Sequence, residues 1–287
     1  MKKKINIGTL LAGCLCILSV MTSCSNKVDF GEQYQKTLYI VNSNELLYTT
    51  EHLFEAPTNE IVISVYCASS KPIDSDVRVE VMLDKQVLDS LNNLNRLIDP
   101  LSLDKVLFPP THYQLNEIPY AIIKAGMQYG TFSIPFDFAG LDPDVAYAFP
   151  ITLTSNSAGY DINPALKSIV YEIKMINRYA GDYAGSSQVS TANVLGVQPV
   201  LKALSANTVR MPMHNLSGDW GGIDTNFMVL TVAQNGSVTI TPWADAIVID
   251  LGGSFYDADT QTFELHYMFR NAVGSWLSIT EIITKLN

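Results

Sequence analysis

From Val77 to Leu83 the chain alternates, with Val77, Val79, Val81 and Leu83 on one parity and Arg78 and Glu80 on the other. A period of two describes a strand with one buried and one wetted face. Residues 37–41 and 59–68 show the same enrichment in β-branched and aromatic side chains. Within the second run, Cys67 shares a face with Ile61, Ile63 and Val65, which makes it a small buried hydrophobe rather than a reactive thiol. The period then changes. Asp84 stands where an N-cap belongs, and Val87, Leu88, Leu91 and Leu94 recur at helical spacing up to the turn-forming Asn92, Asn93 and Asn95, so one short helix is expected. Further strands are expected near residues 130–136, 147–155 and 168–176, punctuated at Phe108-Pro109-Pro110, Gly126, Pro135, Pro143 and Pro150. Many short strands with turn residues between them predict an all-β chain whose first half is an Ig-like β-sandwich with one short helix.

A boundary is expected near Asn177, where the last of these strands ends and a Tyr- and Gly-rich stretch from Arg178 to Gly185 begins. Residues 227–233 and 237–243 flank Asn235-Gly236, the strongest short hairpin signal. Residues 253–256 and 261–269 flank Asp257-Ala258-Asp259-Thr260, and residues 271–275 lead into a strand over 276–283. Successive hairpins of this kind build an up-and-down barrel.

The N-terminus reads as an export signal. Lys2, Lys3 and Lys4 precede an apolar run over residues 5–20, and Met21-Thr22-Ser23 leads into Cys24. Residues 1–23 are therefore expected to be a lipoprotein signal peptide, Cys24 the lipidation site and residues 24–36 a lipidated tether. Cys14, after Leu11-Ala12-Gly13, is a competing cut site, but it leaves too little apolar length ahead of it. The apolar run is also shorter than the roughly 20 residues that a membrane-spanning helix needs. The chain carries a net charge of −10, and removing a segment with three lysines and no acid takes it to −13. Such a chain repels phosphate backbones, so no nucleic-acid partner is expected. With Cys14 and Cys16 in the signal and Cys24 acylated, Cys67 has no cysteine left to pair with.

Taken together, the two halves resemble a known architecture. Residues 37–177 resemble the Ig-like domain of unknown function at the N-terminus of many Bacteroidetes surface lipoproteins, also found ahead of some family-18 glycoside hydrolase modules. The matching text is VRVEVMLD over residues 77–84, the helix with Leu91-Asn92, FPPTHYQL over 108–115, IKAG over 123–126 and AYAFPITLTS over 146–155. Residues 178–287 are similar to the lipocalin-like barrel that often follows it, on the opening with Tyr179 and Tyr183 and the YDADTQTFELHYMF run over 256–269. The resemblance implies glycan binding in polysaccharide utilisation at the cell envelope, held by a lipid anchor in the outer membrane, with no catalytic motif to carry over. No clear acidic run follows Cys24 to direct display on the outer face.

Candidate chemistry is sparse. No nucleophile elbow, zinc-protease motif or phosphate loop occurs, so no enzyme is expected, and no cofactor. His52, His112, His214 and His266 lack metal-ligand spacing. Three Asp-x-Asp pairs, at Asp74 and Asp76, Asp142 and Asp144, and Asp257 and Asp259, lack the rest of a calcium loop and are read as turn caps. The tryptophans carry the glycan-binding candidates. Trp220 and its neighbour Asp219 sit in a Gly- and Asp-rich loop, while Trp243 and Trp276 extend the more polar faces of their strands. An indole there would stack on the C–H face of a sugar, and the competing reading buries Trp243 and Trp276 in the barrel or between the halves. The expected function is non-catalytic glycan capture. Its rivals are a structural or adhesive module binding a surface protein, and a carrier of a small apolar ligand in a dry barrel.

Overall fold

The computed structural model describes residues 34–56, 58–115, 117–138, 140–189, 194–271 and 273–286, with Trp220 described by its backbone alone. Cys24 and the expected signal peptide lie outside the described residues.

The chain is all-β, and its first half is a two-sheet sandwich. In chain order its strands are β1 (Thr37–Ile40), β2 (Leu47–Leu53), β3 (Asn59–Ala68), β4 (Val77–Leu83), β5 (Val106–Leu107), β6 (Tyr120–Ile123), β7 (Tyr129–Phe136), β8 (Tyr147–Asn156), β9 (Asp161–Ile162) and β10 (Ser168–Ile176), with helix α1 (Lys85–Ile98) after β4. One sheet runs β7-β3-β1-β9 and the other β2-β10-β8-β4-β6, with β5 against β8. Alternation decides what lies between them. Ile61, Ile63, Val65 and Cys67 of β3 face Val79 and Val81 of β4, Phe149 and Ile151 of β8 and Ile173 of β10, all within one apolar core. Phe108 and Phe149 stack there at 4.6 Å, with Phe136 on Phe108 at 5.1 Å.

Strand β8 does not alternate: residues 147–153 are all buried. The second sheet is covered on its outer side as well, where Leu88 and Leu91 of α1 pack on Ala148 and Val170. Pro150, expected as punctuation, sits inside β8 opposite Val170. Asp84 caps α1 by accepting a hydrogen bond from the Gln86 N–H at 3.1 Å. The helix also passes through the asparagines expected to end it. Asn92 is buried, and its amide donates to the Lys105 carbonyl at 2.8 Å and accepts from the Lys105 N–H at 2.9 Å, so a turn-forming residue here pins the next loop to the helix.

The second half is a nearly closed barrel. Its strands are β11 (Gly181–Val189), β12 (Val194–Val197), β13 (Val200–Ser205), β14 (Thr208–Pro212), β15 (Phe227–Val232), β16 (Val238–Pro242), β17 (Val248–Asp250), β18 (Phe255–Asp257), β19 (Thr262–Arg270) and β20 (Trp276–Lys285), with a four-residue helix α2 (Ile223–Asn226) before β15. The order β16-β15-β14-β13-β11-β20-β19-β17 is an antiparallel meander in which β11 and β20, the first and last barrel strands along the chain, pair with each other. Closure comes at the seam between β16 and β18, where the Val238 N–H donates to Ser254 O, the Tyr256 N–H to Gly236 O, and Ser237 bridges Phe255. Phe263, Leu265, Tyr267 and Phe269 of β19 point inward against Met211, Met228, Leu230 and Ile279, so side chains fill the interior. A carrier would need that space empty.

Strand directions sort the connections into two ends. The loop end carries residues 213–226, 243–247 and 271–275. The junction end carries the turns at 206–207, 233–237 and 258–261, and there the chain enters from the sandwich. At that entry Asn177 is buried, donating to Ser205 O and Thr208 O at 2.6 and 3.0 Å and accepting from the Tyr179 and Ala180 N–H groups.

Candidate functional site

All three tryptophans belong to the loop end. Trp220 lies in the β14–β15 connection, Trp243 just past β16 and Trp276 at the start of β20. Their spacing in sequence gives no hint of this; the meander returns each of them to the same rim.

The Trp220 loop is held by its own backbone and by the barrel. The Asn226 side chain donates to Ser217 O at 3.1 Å, the Asp219 N–H to Ser217 Oγ at 3.1 Å, and the Gly222 N–H to Asp219 O at 3.0 Å. Asp219 is exposed. A hydrogen bond of 2.9 Å from the Asp245 N–H to Asp224 O ties this loop to the turn that carries Trp243. Thus Trp220, Asp219 and Trp243 occupy adjoining loops, while Trp276 is three strands further round the barrel.

Trp243 is half-buried, and Arg210 accounts for that. The guanidinium lies over the indole at 4.4 Å and over the Phe227 ring at 5.5 Å. Arg210 itself is 3% exposed and makes two hydrogen bonds, of 2.7 and 2.8 Å, to Asp144 of the sandwich, which Lys202 also meets at 2.6 Å. Burial alone would push the Asp144 carboxyl up, but the bonds from Arg210 and Lys202 outweigh it and hold the group below the usual carboxylate range. Trp243 therefore packs on the cation that pairs the barrel with Asp144 of the sandwich.

Trp276 is different. Leu277, Ile279 and Ile283 turn into the barrel, so Trp276, Ser278 and Thr280 turn out. Trp276 is 44% exposed. Opposite these three on β19 stand Arg270, Met268 and His266. The indole thus begins a strip, with Met268 at its middle among hydroxyl, imidazole and guanidinium groups, that runs about 13 Å along the strand from Trp276 to Thr280. His266 lies 3.3 Å from Glu264 and within 3.5 Å of Thr280 Oγ1. An aromatic plane with donors and acceptors at its flank is the arrangement that holds a sugar ring. A hollow of about 310 Å³ also opens at this end, lined by Pro212, His214, Asn215, Leu216, Phe227 and the bend at Gln198-Pro199.

Below His214 lies a buried polar chain that the pattern reading missed. The His214 N–H donates to Tyr267 Oη at 2.7 Å, Tyr267 donates to Glu281 Oε2 at 2.6 Å, and Ser187 pairs with His214 Nδ1 at 2.7 Å. Glu281 is fully buried, its Oε1 has no partner, and burial pushes its carboxyl up to about 7. The signal was present in the sequence, since Glu281 interrupts the inward face formed by Leu277, Ile279 and Ile283.

The three Asp-x-Asp pairs sit at turns. Asp142 accepts from the Asp144 N–H at 2.8 Å and Asp257 from the Asp259 N–H at 2.9 Å, while Asp76 meets Lys124 and the Ala125 N–H. Among the described residues no group of three or more His, Cys, Asp or Glu side chains could hold a metal ion.

Residues 34–159 match a family model described as an N-terminal domain, and residues 167–284 match one described as a C-terminal domain. No curated protein matches the sequence. Among solved structures, a Bacteroides ovatus protein of unknown function is 13% identical, with a TM-score of 0.63 over 87% of this chain and 93% of that one. A multidomain B. ovatus protein that includes a DUF1735 domain is 13% identical, with a TM-score of 0.61 over 88% and 93%. A Bacteroides thetaiotaomicron protein described as an auxiliary nutrient binding protein is 17% identical, with a TM-score of 0.57 over 84% and 91%. At these identities the likeness is one of fold, and the chain shares the two-part all-β fold of these Bacteroides proteins.

Proposed function

We propose that this is a lipid-anchored, non-catalytic protein of the cell envelope that captures glycan at the loop end of its barrel. The observation that carries the reading is the convergence of Trp220, Trp243 and Trp276 on one rim, with Trp276 exposed on a hydroxyl-lined strand face. Asp219 supplies an exposed carboxylate beside Trp220. Trp243 sits in the turn that the Asp245–Asp224 hydrogen bond ties to the Trp220 loop. The fold shared with an auxiliary nutrient binding protein supports this reading. So do the Cys24 signal and the acidic charge of the chain, which suit a tethered protein at an anionic surface. In the same reading the sandwich is Ig-like and the barrel lipocalin-like. A glycan-array screen tests the function: binding to a defined set of neutral glycans is expected, and an array without signal contradicts it.

One observation favours a second reading, a module that binds a surface protein. The end of α1 and the loop after it expose Leu97, Ile98 and Leu101 at 82%, 77% and 89%. Apolar groups so exposed and so close together mark interaction surfaces. An empty array, with crosslinking of the cell-surface protein through this patch, is the result that reading expects.

A further inference from the structure

At the junction end, the opposite end of the barrel from the tryptophan rim, a hollow of about 670 Å³ opens between the Asn235-Gly236 turn, the Asp257–Asp259 turn and the first residues after the sandwich. Its aromatic wall follows from the alternation of β18. Tyr256 turns into the barrel core, which leaves the Phe255 ring outside and 46% exposed. Tyr179 stands behind Tyr256, the two rings meeting edge to face at 4.9 Å. Gly236 keeps the ring close to the turn, because a Cβ there would fall 2.6 Å from the Phe255 ring and 2.8 Å from Tyr256 O. The Gly236 φ of 86° suits glycine as well.

Polar groups with spare capacity surround this ring. Among the described residues Gln234 has no side-chain hydrogen bond and is exposed. Asn235 Oδ1 accepts from the Ser237 N–H and hydroxyl, which leaves its NH₂ donors for solvent. Asp257 Oδ1 caps its own turn, leaving Oδ2. Glu55 Oε1 meets Arg178 at 3.4 Å, but Glu55 Oε2 is buried without a partner.

Charge narrows the ligand. Glu55, Asp257 and Asp259 face one cation, Arg178, which is already paired with Glu55. Phosphate, sulfate and carboxylate ligands are therefore repelled. An uncharged ligand rich in hydroxyls can donate to the free Asp257 oxygen, accept from the amides and lay its C–H face on the ring. We propose that this hollow is a second saccharide site, taking an uncharged sugar unit with its C–H face on Phe255 and its hydroxyls on Gln234, Asn235 and Asp257. It shares its ligand class with the proposed glycan capture but shares no residue with the tryptophan rim.

The test is calorimetric titration of the full chain with neutral hexasaccharides of glucose, mannose, xylose and N-acetylglucosamine, and with hexagalacturonate as the anionic control. Phe255→Leu keeps the apolar volume and removes the flat face, so it is expected to weaken neutral binding at least tenfold. Phe255→Trp is expected to retain that binding, and Gln234→Ala, on an exposed turn, to weaken it without altering the melting temperature. Unchanged affinity in Phe255→Leu, or preference for hexagalacturonate, overturns the site. Loss of binding in Trp276→Ala with none in Phe255→Leu overturns it too and leaves the rim site standing. Absence of binding across the neutral panel overturns this site whatever the array gives for the rim.

Discussion

Asp144 and Arg210 lie 66 positions apart in sequence, yet the pair joins the two halves more directly than any apolar contact named above. Removing one partner of a buried pair strands the other charge, which costs about 3–5 kcal/mol. Asp144→Ala should therefore lower the melting temperature markedly, and Arg210→Met in the same background should recover part of the loss, both read by thermal denaturation. Glu281 makes the opposite kind of prediction. Its carboxyl is pushed up to about 7 in the folded protein from 4.5. Folding therefore favours the protonated form, so the stability is present below pH 4.5 and is lost as pH rises through 7. The difference is up to about 3 kcal/mol, from 1.36 kcal/mol per unit. Glu281→Gln should flatten denaturant-derived stability between pH 4.5 and 8; an unchanged slope would place the titration elsewhere. Sequence showed one of these residues and hid the other. Glu281 is the odd member of an inward face, visible from period alone, whereas Asp144 reads as half of a turn motif because its partners come from another part of the chain.

At the scale of elements, strands with sustained alternation or a long apolar run were legible, and short or Gly-rich ones were not. β3 and β4 alternate and occupy the expected residues, and β10 does too although Val170 is buried beneath α1. β8 is buried on both faces, so its apolar run carries no period, though its length and β-branched content still mark a strand. β11 through β14 were missed. β11 is rich in Gly and Ser, and β12 and β13 are parted at Gln198-Pro199, so neither half is long enough to show a pattern. The helix start was readable because Asp84 caps it from its own sequence neighbourhood, while its end was masked by Asn92. Asp84→Ala should cost about 0.5–2 kcal/mol, measured by denaturant unfolding. Thr152 adds to that loss, since its hydroxyl donates to Asp84 Oδ2 at 3.2 Å.

At the scale of the molecule, two separate apolar cores stand on either side of Asn177, one ending at Met175 and the other beginning at Tyr183. Residues 37–177 expressed alone are therefore expected to unfold cooperatively, and a chain without a thermal transition would contradict the division at that point. Cys24→Ala is expected to move the protein from the membrane to the soluble fraction. The site was only partly legible in sequence: each tryptophan was visible as a candidate, but their common rim is a property of the meander and depends on strands the pattern did not show. The most direct test of glycan capture at that rim is calorimetry of the intact protein and Trp276→Ala with an array-positive glycan. Covering about 100 Å² of sugar C–H surface is worth roughly 2.5 kcal/mol before ordering costs. Capture at the rim predicts a loss of about tenfold or more in affinity with an unchanged melting temperature, because Trp276 lies outside the core. Equal affinity in the two proteins would contradict it.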